Sequence, residues 1–304
     1  MPKYTKNGCP ACGCKNYLVF GTIQHPPHLS EFNIPEGSVI VRCRECRLIY
    51  VDPMPHWDSE DFAKLYDITY FSNMEDEKQK KWMDIRENIN PQKRFASCSR
   101  YIKSNKNKML EIGAGEYGFM CRFLASVGWD VTAQEPGLGF KDSLTSKGIR
   151  VETKGVMDLD GDGEFSFIFA DSVLEHVPNP VEYFAKLKNL LAPGGVFYTI
   201  SPNEYSMYNF LFNLIAKRKG NTPHYIAPYE SPYHLLGFTK KSYQILAEKC
   251  GLHLISYRKI DDYQAFHVLN TNHSALIKYP FALLLVISQS IGLGTNGEAM
   301  FIKN

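Results

Sequence analysis

Apolar positions beyond residue 108 alternate between two periods. Short continuous runs bounded by Gly, Asn or Asp predict strands at 109–114, 131–135, 150–153, 165–170, 196–201, 253–259 and 298–303. Between them, apolar residues recurring every third or fourth place predict helices at 118–127, 138–146, 181–191 and 240–250. Strand and helix in alternation predict an α/β fold, a doubly wound and mostly parallel sheet of seven strands, with the last strand at a sheet edge. Upstream, Leu48 to Val51 reads as a strand closed by Asp52-Pro53-Met54-Pro55, followed by an aromatic segment through Tyr66, Tyr70 and Phe71. Trp82, Ile85 and Ile89 mark a helix that Pro91 ends, and Phe95, Cys98, Tyr101 and Ile102 mark a second. The longest apolar run, at 279–287, is broken at once by Ser288-Gln289-Ser290; it is too short to span a membrane and reads as a buried helix.

Composition narrows the class. With 44% hydrophobic and 22% charged residues in 304, the chain can bury a large core, so disorder is excluded. Lys and Arg number 34 against 32 Asp and Glu, a net charge of +2, so nothing marks the chain as a polyanion binder. No apolar run precedes the first cysteines, which makes the cytoplasm the expected compartment.

The cysteines bring in metal. Cys9-Pro10-Ala11-Cys12 and Cys43-Arg44-Glu45-Cys46 are two C-x2-C knuckles separated by 30 residues, a spacing that lets two tight turns present four thiolates to one Zn2+ ion. A redox reading of Cys-Pro-x-Cys leaves the second knuckle unexplained. Cys14 is an alternative to Cys12, and His25 and His28 lie in a Pro-rich loop read as solvated. Four thiolates close the coordination sphere, so the zinc is expected to be structural. Residues 1–60 carry six basic and six acidic side chains, which weakens a phosphate-tracking role for this ribbon.

Glu111-Ile112-Gly113-Ala114-Gly115-Glu116-Tyr117-Gly118 follows the first strand of the α/β region, where glycines let the backbone approach a ligand at a helix N-terminus. Glu135 ends the next strand, where a carboxylate can hold ribose hydroxyls. These features indicate an adenosine cofactor. Together with Ser172-Val173-Leu174-Glu175-His176-Val177-Pro178-Asn179-Pro180, with Leu190-Leu191-Ala192-Pro193-Gly194-Gly195, and with Ser201-Pro202-Asn203, they make residues 108–260 resemble the class I S-adenosylmethionine-dependent methyltransferases. The resemblance implies a Rossmann-like methyltransferase core in which Glu111, Gly113, Gly115 and Gly118 wrap the methionyl part of S-adenosyl-L-methionine. It also implies that Glu135 holds the ribose, that Met157 and Asp158 frame the adenine, and that Ser172 and His176 lie near the cofactor. Tyr117 stands where the family has its third glycine, with Gly118 following as though one residue were inserted. Asp158-x-Asp160-x-Asp162-Gly163 imitates a calcium loop but has Phe169 where the closing glutamate belongs, and reads as a polar turn.

Methyl transfer needs an aligned nucleophile and, for a hydroxyl or acidic C–H, a base. His176, and His234 in Ser231-Pro232-Tyr233-His234-Leu235-Leu236-Gly237-Phe238-Thr239, are the catalytic candidates. The second segment resembles a P-x-H-x-x-x-F-T stretch of small-molecule methyltransferases, and a structural histidine capping the next helix is the competing reading. The expected organisation is a zinc ribbon at 1–60, a helical linker at 61–107, and a methyltransferase domain at 108–304 with lid insertions at 204–235 and 261–295. The apolar run in the second insertion is a candidate pocket cover or homodimer contact. The expected acceptor is a small molecule; a ribbon ahead of this core resembles the nucleotide-sugar C-methyltransferases, apart from the long additional C-terminal domain they usually carry, and that resemblance implies a sugar nucleotide or glycan precursor as a candidate for O- or C-methylation. An RNA base methyltransferase gripping RNA through the ribbon, a non-catalytic cofactor-binding scaffold, and a dehydrogenase are the alternatives.

Overall fold

The computed structural model describes residues 3–23, 35, 37–56, 90–218, 234–260 and 274–304. The expected helix around Trp82, the aromatic segment through Tyr66, and both His25 and His28 lie outside the described residues. So do parts of the two expected lids.

The ribbon contributes β1 (Lys3–Thr5), β2 (Tyr17–Thr22), β3 (Val39–Cys43), β4 (Ile49–Asp52) and β5 (Met54–His56). After α1 (Asn90–Ser99) come β6 (Lys108–Ile112), α2 (Phe119–Ser126), β7 (Asp130–Gln134), α3 (Leu138–Ser146), β8 (Arg150–Glu152) and β9 (Phe165–Asp171). There follow α4 (Pro180–Leu190), β10 (Leu191–Pro202), α5 (Met207–Arg218), β11 (Leu236–Gly237), α6 (Lys240–Cys250), β12 (His253–Ile260), α7 (Ala275–Ser290) and β13 (Asn296–Ile302). Pro91 falls in the first turn of α1, where its missing N–H is no loss, so it begins this helix.

The main sheet has seven strands in the order β12-β13-β10-β9-β6-β7-β8. Strands β8, β7, β6, β9 and β10 run parallel, and β13 is antiparallel to both β10 and β12. The strand order reverses between β6 and β9, and at such a switch point a crevice opens outside the carboxyl ends of the strands. Met109, Leu110, Glu111 and Ile112 are all buried, as expected of a strand covered by helices on both faces. The last strand departs from expectation: β13 lies inside the sheet and β12 forms the edge. Gly297 to Ile302 are buried on both faces, so the segment gains more as an interior strand than at an edge.

A smaller sheet has the order β11-β4-β3-β2. Its fourth strand comes from the far end of the chain, with Leu236 opposite Tyr50 and Gly237 opposite Ile49. The Val51 N–H donates to the Leu235 carbonyl (3.2 Å), and Lys249 Nζ reaches the Ala11 carbonyl (2.9 Å). One buried apolar cluster accordingly runs from Cys9, Ile40 and Tyr50 in the ribbon to Leu235, Phe238 and Tyr243. Thr239 caps α6 by accepting from the Ser242 N–H (3.1 Å), so His234 is not the helix cap.

The apolar run at 279–287 does form a helix, α7, but not a buried one. Ala282, Leu285 and Ser288 face inward, while Leu276, Tyr279, Leu283 and Val286 are exposed. A helix packed against its neighbours along one stripe buries only every third or fourth residue, whatever the others are. No helix among the described residues is long and apolar enough to cross a membrane.

The seam between the two sheets leaves no room at Gly237. A Cβ there would lie 2.6 Å from Glu204 Cγ and 3.3 Å from Ile49 Cβ. Gly237→Ala is expected to destabilise the protein by about 1–3 kcal/mol through overpacking, read as a lower urea midpoint with an unchanged m-value.

Candidate functional site

The glycine loop leaves the end of β6 with Gly113, Gly115 and Gly118 at φ of 63°, 58° and 54°. Gly113 is pinned by its N–H to the Gln134 carbonyl (2.9 Å), and a Cβ on it would lie 2.8 Å from Val173 Cγ2. A Cβ on Gly115 would meet nothing within 4 Å, so this glycine borders open space at the switch point. Gly118 faces the other way: its Cβ would lie 2.8 Å from Leu144 Cδ2, so its surroundings are those of a packing residue between α2 and α3. The residue in the third glycine's place, Tyr117, stacks on Phe119 at 5.2 Å.

Two buried glutamates brace this loop. Glu111 accepts from the Met120 N–H (3.3 Å) and the Cys121 N–H (2.7 Å), binding the first turn of α2, where free N–H groups favour an anion. Burial nevertheless pushes its carboxyl up to about 7. Glu135 accepts from the Gly115 N–H (2.7 Å) and the Gly137 N–H (2.8 Å), and burial raises its carboxyl also. Each Glu135 oxygen keeps a further lone-pair direction, enough for two hydroxyls. Met157 and Asp158, in a single 3-10 turn after β8, are exposed. Ser172, exposed and at φ 57°, donates to Asp171 Oδ1 (3.1 Å).

Asp171 ends β9 and forms an ion pair with Arg94 of α1 at 2.8 Å. Sequence patterns do not single out either residue; the signal that could have found them is a carboxylate at the carboxyl end of a strand beside the switch point. The segment after β9 then forms a 3-10 turn, Leu174–His176. The ring of His176 lies 4.7 Å from that of His234, tilted by 73°. His234 is 3% exposed, and burial, with the charge of His176, holds its imidazole well below its ordinary value. His176 is the partly exposed member of the pair. Glu175 is fully buried beside them, its carboxyl pushed well up by burial. The Leu235 N–H donates to the Glu175 carbonyl (2.8 Å), which brings the His234 segment to the turn.

Nearby, a cavity of about 270 Å³ lies between the ribbon and α5, lined by Phe20, Glu204, Tyr205, Phe210 and Asn213. The Arg42 guanidinium stands 5.1 Å from the Phe20 ring centre, and the charges of Arg42 and Arg47 act on Tyr205.

The ribbon brings Cys9, Cys12, Cys43 and Cys46 together with all four sulfurs within 4.8 Å of one another. Cys9 and Cys46 approach to 3.4 Å, as do Cys12 and Cys43. The Cys9 thiol is lowered to about 6 by its hydrogen bond with Cys46, whose own thiol is raised in turn. Cys14 is outside the cluster, its sulfur accepting from the Asn16 N–H (3.3 Å). Such a set of soft donors at tetrahedral spacing is suited to a zinc ion.

A sheet of this order, with one antiparallel strand next to its edge and carboxylates at the ends of its first two parallel strands, defines the class I fold of S-adenosylmethionine-dependent methyltransferases. Residues 74–257 match the methyltransferase domain family, and the chain belongs to it. Over 116 residues it is 30% identical to uncharacterized proteins MT1557 and Rv1509 of Mycobacterium tuberculosis. That match takes in 35% of this chain and spans only 39% of the length of these relatives. Among solved structures, phosphoethanolamine N-methyltransferase 2 of Haemonchus contortus, in complex with S-adenosyl-L-methionine, shares the fold at a TM-score of 0.52 and 14% identity, over 84% of this chain and 62% of that one. Geranyl diphosphate C-methyltransferase of Streptomyces coelicolor A3(2), in complex with Mg2+, geranyl diphosphate and S-adenosyl-L-homocysteine, does so at 0.50 and 11%, over 76% and 87%.

The buried Glu111 makes stability depend on pH. The folded state holds this proton more tightly than the unfolded chain, whose value is 4.5, so stability falls as pH rises from there to about 7 and is level above. Urea unfolding across that window is expected to show wild type losing on the order of 3 kcal/mol relative to Glu111→Gln, which has no such proton.

Proposed function

We propose that this protein transfers a methyl group from S-adenosyl-L-methionine to a small-molecule acceptor of the sugar-nucleotide or glycan-precursor class, with one structural zinc ion on Cys9, Cys12, Cys43 and Cys46. The observation that carries the methyl-transfer reading is the cradle at the ends of β6 and β7, where Gly115 borders open space and Glu135 keeps lone pairs for a ribose. When bound, the cofactor supplies an electrophilic methyl carbon on a sulfonium. Gly113 and Gly115 hold its methionyl part, Glu135 its ribose hydroxyls, and Met157 with Asp158 its adenine. Glu111 acts one step back, bracing α2 against the loop, and Gly118 lets α3 approach.

The acceptor lies in the cavity between ribbon and α5. Its aromatic faces, Phe20, Tyr205 and Phe210, pack on the apolar side of a sugar ring, while Glu204 and Asn213 accept and donate to hydroxyls. Arg42 and Arg47, on the ribbon side, suit a diphosphate. The ribbon is thus one wall of the acceptor site as well as a zinc-stapled support. His176, partly exposed, takes the proton from the acceptor hydroxyl or C–H at an imidazole nitrogen, and buried His234 backs its ring.

Calorimetric titration of the purified protein with S-adenosylhomocysteine tests the first part. Wild type is expected to bind saturably, Glu135→Ala about 10- to 100-fold more weakly, and NAD not at all. Absence of binding to folded wild type would overturn the reading. With an acceptor found among sugar nucleotides, His176→Ala is expected to lower kcat by about 10²- to 10⁴-fold while the affinity for S-adenosylhomocysteine changes little.

A further inference from the structure

One side-chain cluster has a composition that acid–base chemistry alone does not explain. Glu175, His176 and His234 each offer one ligand atom, and these atoms lie within 4.8 Å of one another. Glu175 is fully buried, yet neither of its carboxylate oxygens has a hydrogen-bond partner among the described residues. A buried carboxylate left in that condition is costly unless a cation or proton answers it. The neighbouring charges increase the demand, since Asp171 and the buried Glu204 both act on Glu175. Arg94 offsets Asp171 through its 2.8 Å ion pair.

The donor set selects what fits. Two imidazole nitrogens and one carboxylate oxygen suit a first-row divalent transition metal better than calcium or magnesium, which prefer all-oxygen shells. Ligand atoms about 2.1 Å from a common ion stand at most about 4.2 Å apart, so small side-chain rotations close the triad. We infer that Glu175, His176 and His234 form a second metal site, for a divalent ion of the zinc or iron(II) type, separate from the four-cysteine cluster. Three protein ligands leave a coordination position open. An acceptor oxygen is then the ion's remaining ligand, acidified by it so that its proton leaves to water and His176 serves as ligand in place of base; this role rests on the methyl-transfer reading, and the ligand set itself does not.

The test is a metal count on the full-length protein. Wild type, Glu175→Gln and His176→Ala are stripped with chelator, dialysed against zinc under reducing conditions, and assayed by elemental mass spectrometry, with circular dichroism reporting the fold. The count is expected to fall by one ion per chain in each variant, whatever the four-cysteine cluster retains. Glu175→Gln keeps the side-chain volume and removes only the charge, and His176→Ala, at a partly exposed position, provides the measurement should the first fail to fold. An unchanged count in either folded variant would overturn the inference. S-adenosylhomocysteine binding, measured on the same wild-type sample, fails separately if the methyl-transfer reading is wrong, because the count involves neither cofactor nor acceptor.

Discussion

The arrangement of the molecule depends on the backbone of Leu235. Its carbonyl accepts from Val51 in the ribbon, and its N–H donates to the Glu175 carbonyl in the turn after β9. These two bonds, at 3.2 and 2.8 Å, tie the ribbon sheet to the carboxyl edge of the main sheet, with Leu235 itself wholly buried. A buried backbone group must be paired, so the two peptide bonds hold their neighbours in register. One residue earlier is His234, whose ring therefore meets His176. Two residues later is Gly237, on which Glu204 and Ile49 close.

The site is also a study in what burial does to carboxylates. Glu111 and Glu135 are both removed from water, and each is compensated by two backbone N–H groups at a helix start or loop. Their carboxyl oxygens brace the glycine loop through these bonds. Glu175 is removed from water to the same degree without such donors, and its surroundings are other acids and two imidazoles. Equal burial with unequal hydrogen bonding separates supporting glutamates from one poised for a ligand.

The ribbon's placement changes how the chain's two ends relate. The four-cysteine cluster joins Cys9–Cys12 to Cys43–Cys46, but the ribbon sheet is completed by β11, nearly two hundred residues downstream of β4. A cavity is walled by Phe20 of the ribbon on one side and by Phe210 and Asn213 on the other. Ribbon and methyltransferase core thus share a single hydrophobic cluster.

Period and spacing carried much of this in one dimension. The strands of the main sheet follow from short apolar runs, α6 spans the 240–250 that its apolar period predicts, and the cysteine knuckles and the glycine loop are visible as motifs. These are local signals, because side-chain periodicity and turn chemistry act over a few residues. What the tertiary structure alone decided is non-local. The two-residue strand β11 is too short to have a period, and β13 took an interior place because both of its faces found cover. Helix α7 buries one stripe only, and Gly118 serves packing as much as any ligand. Glu175 stood unmarked between Leu174 and His176, since a carboxylate's meaning lies in its hydrogen-bond partners, and those are set by chain segments that meet only in the fold.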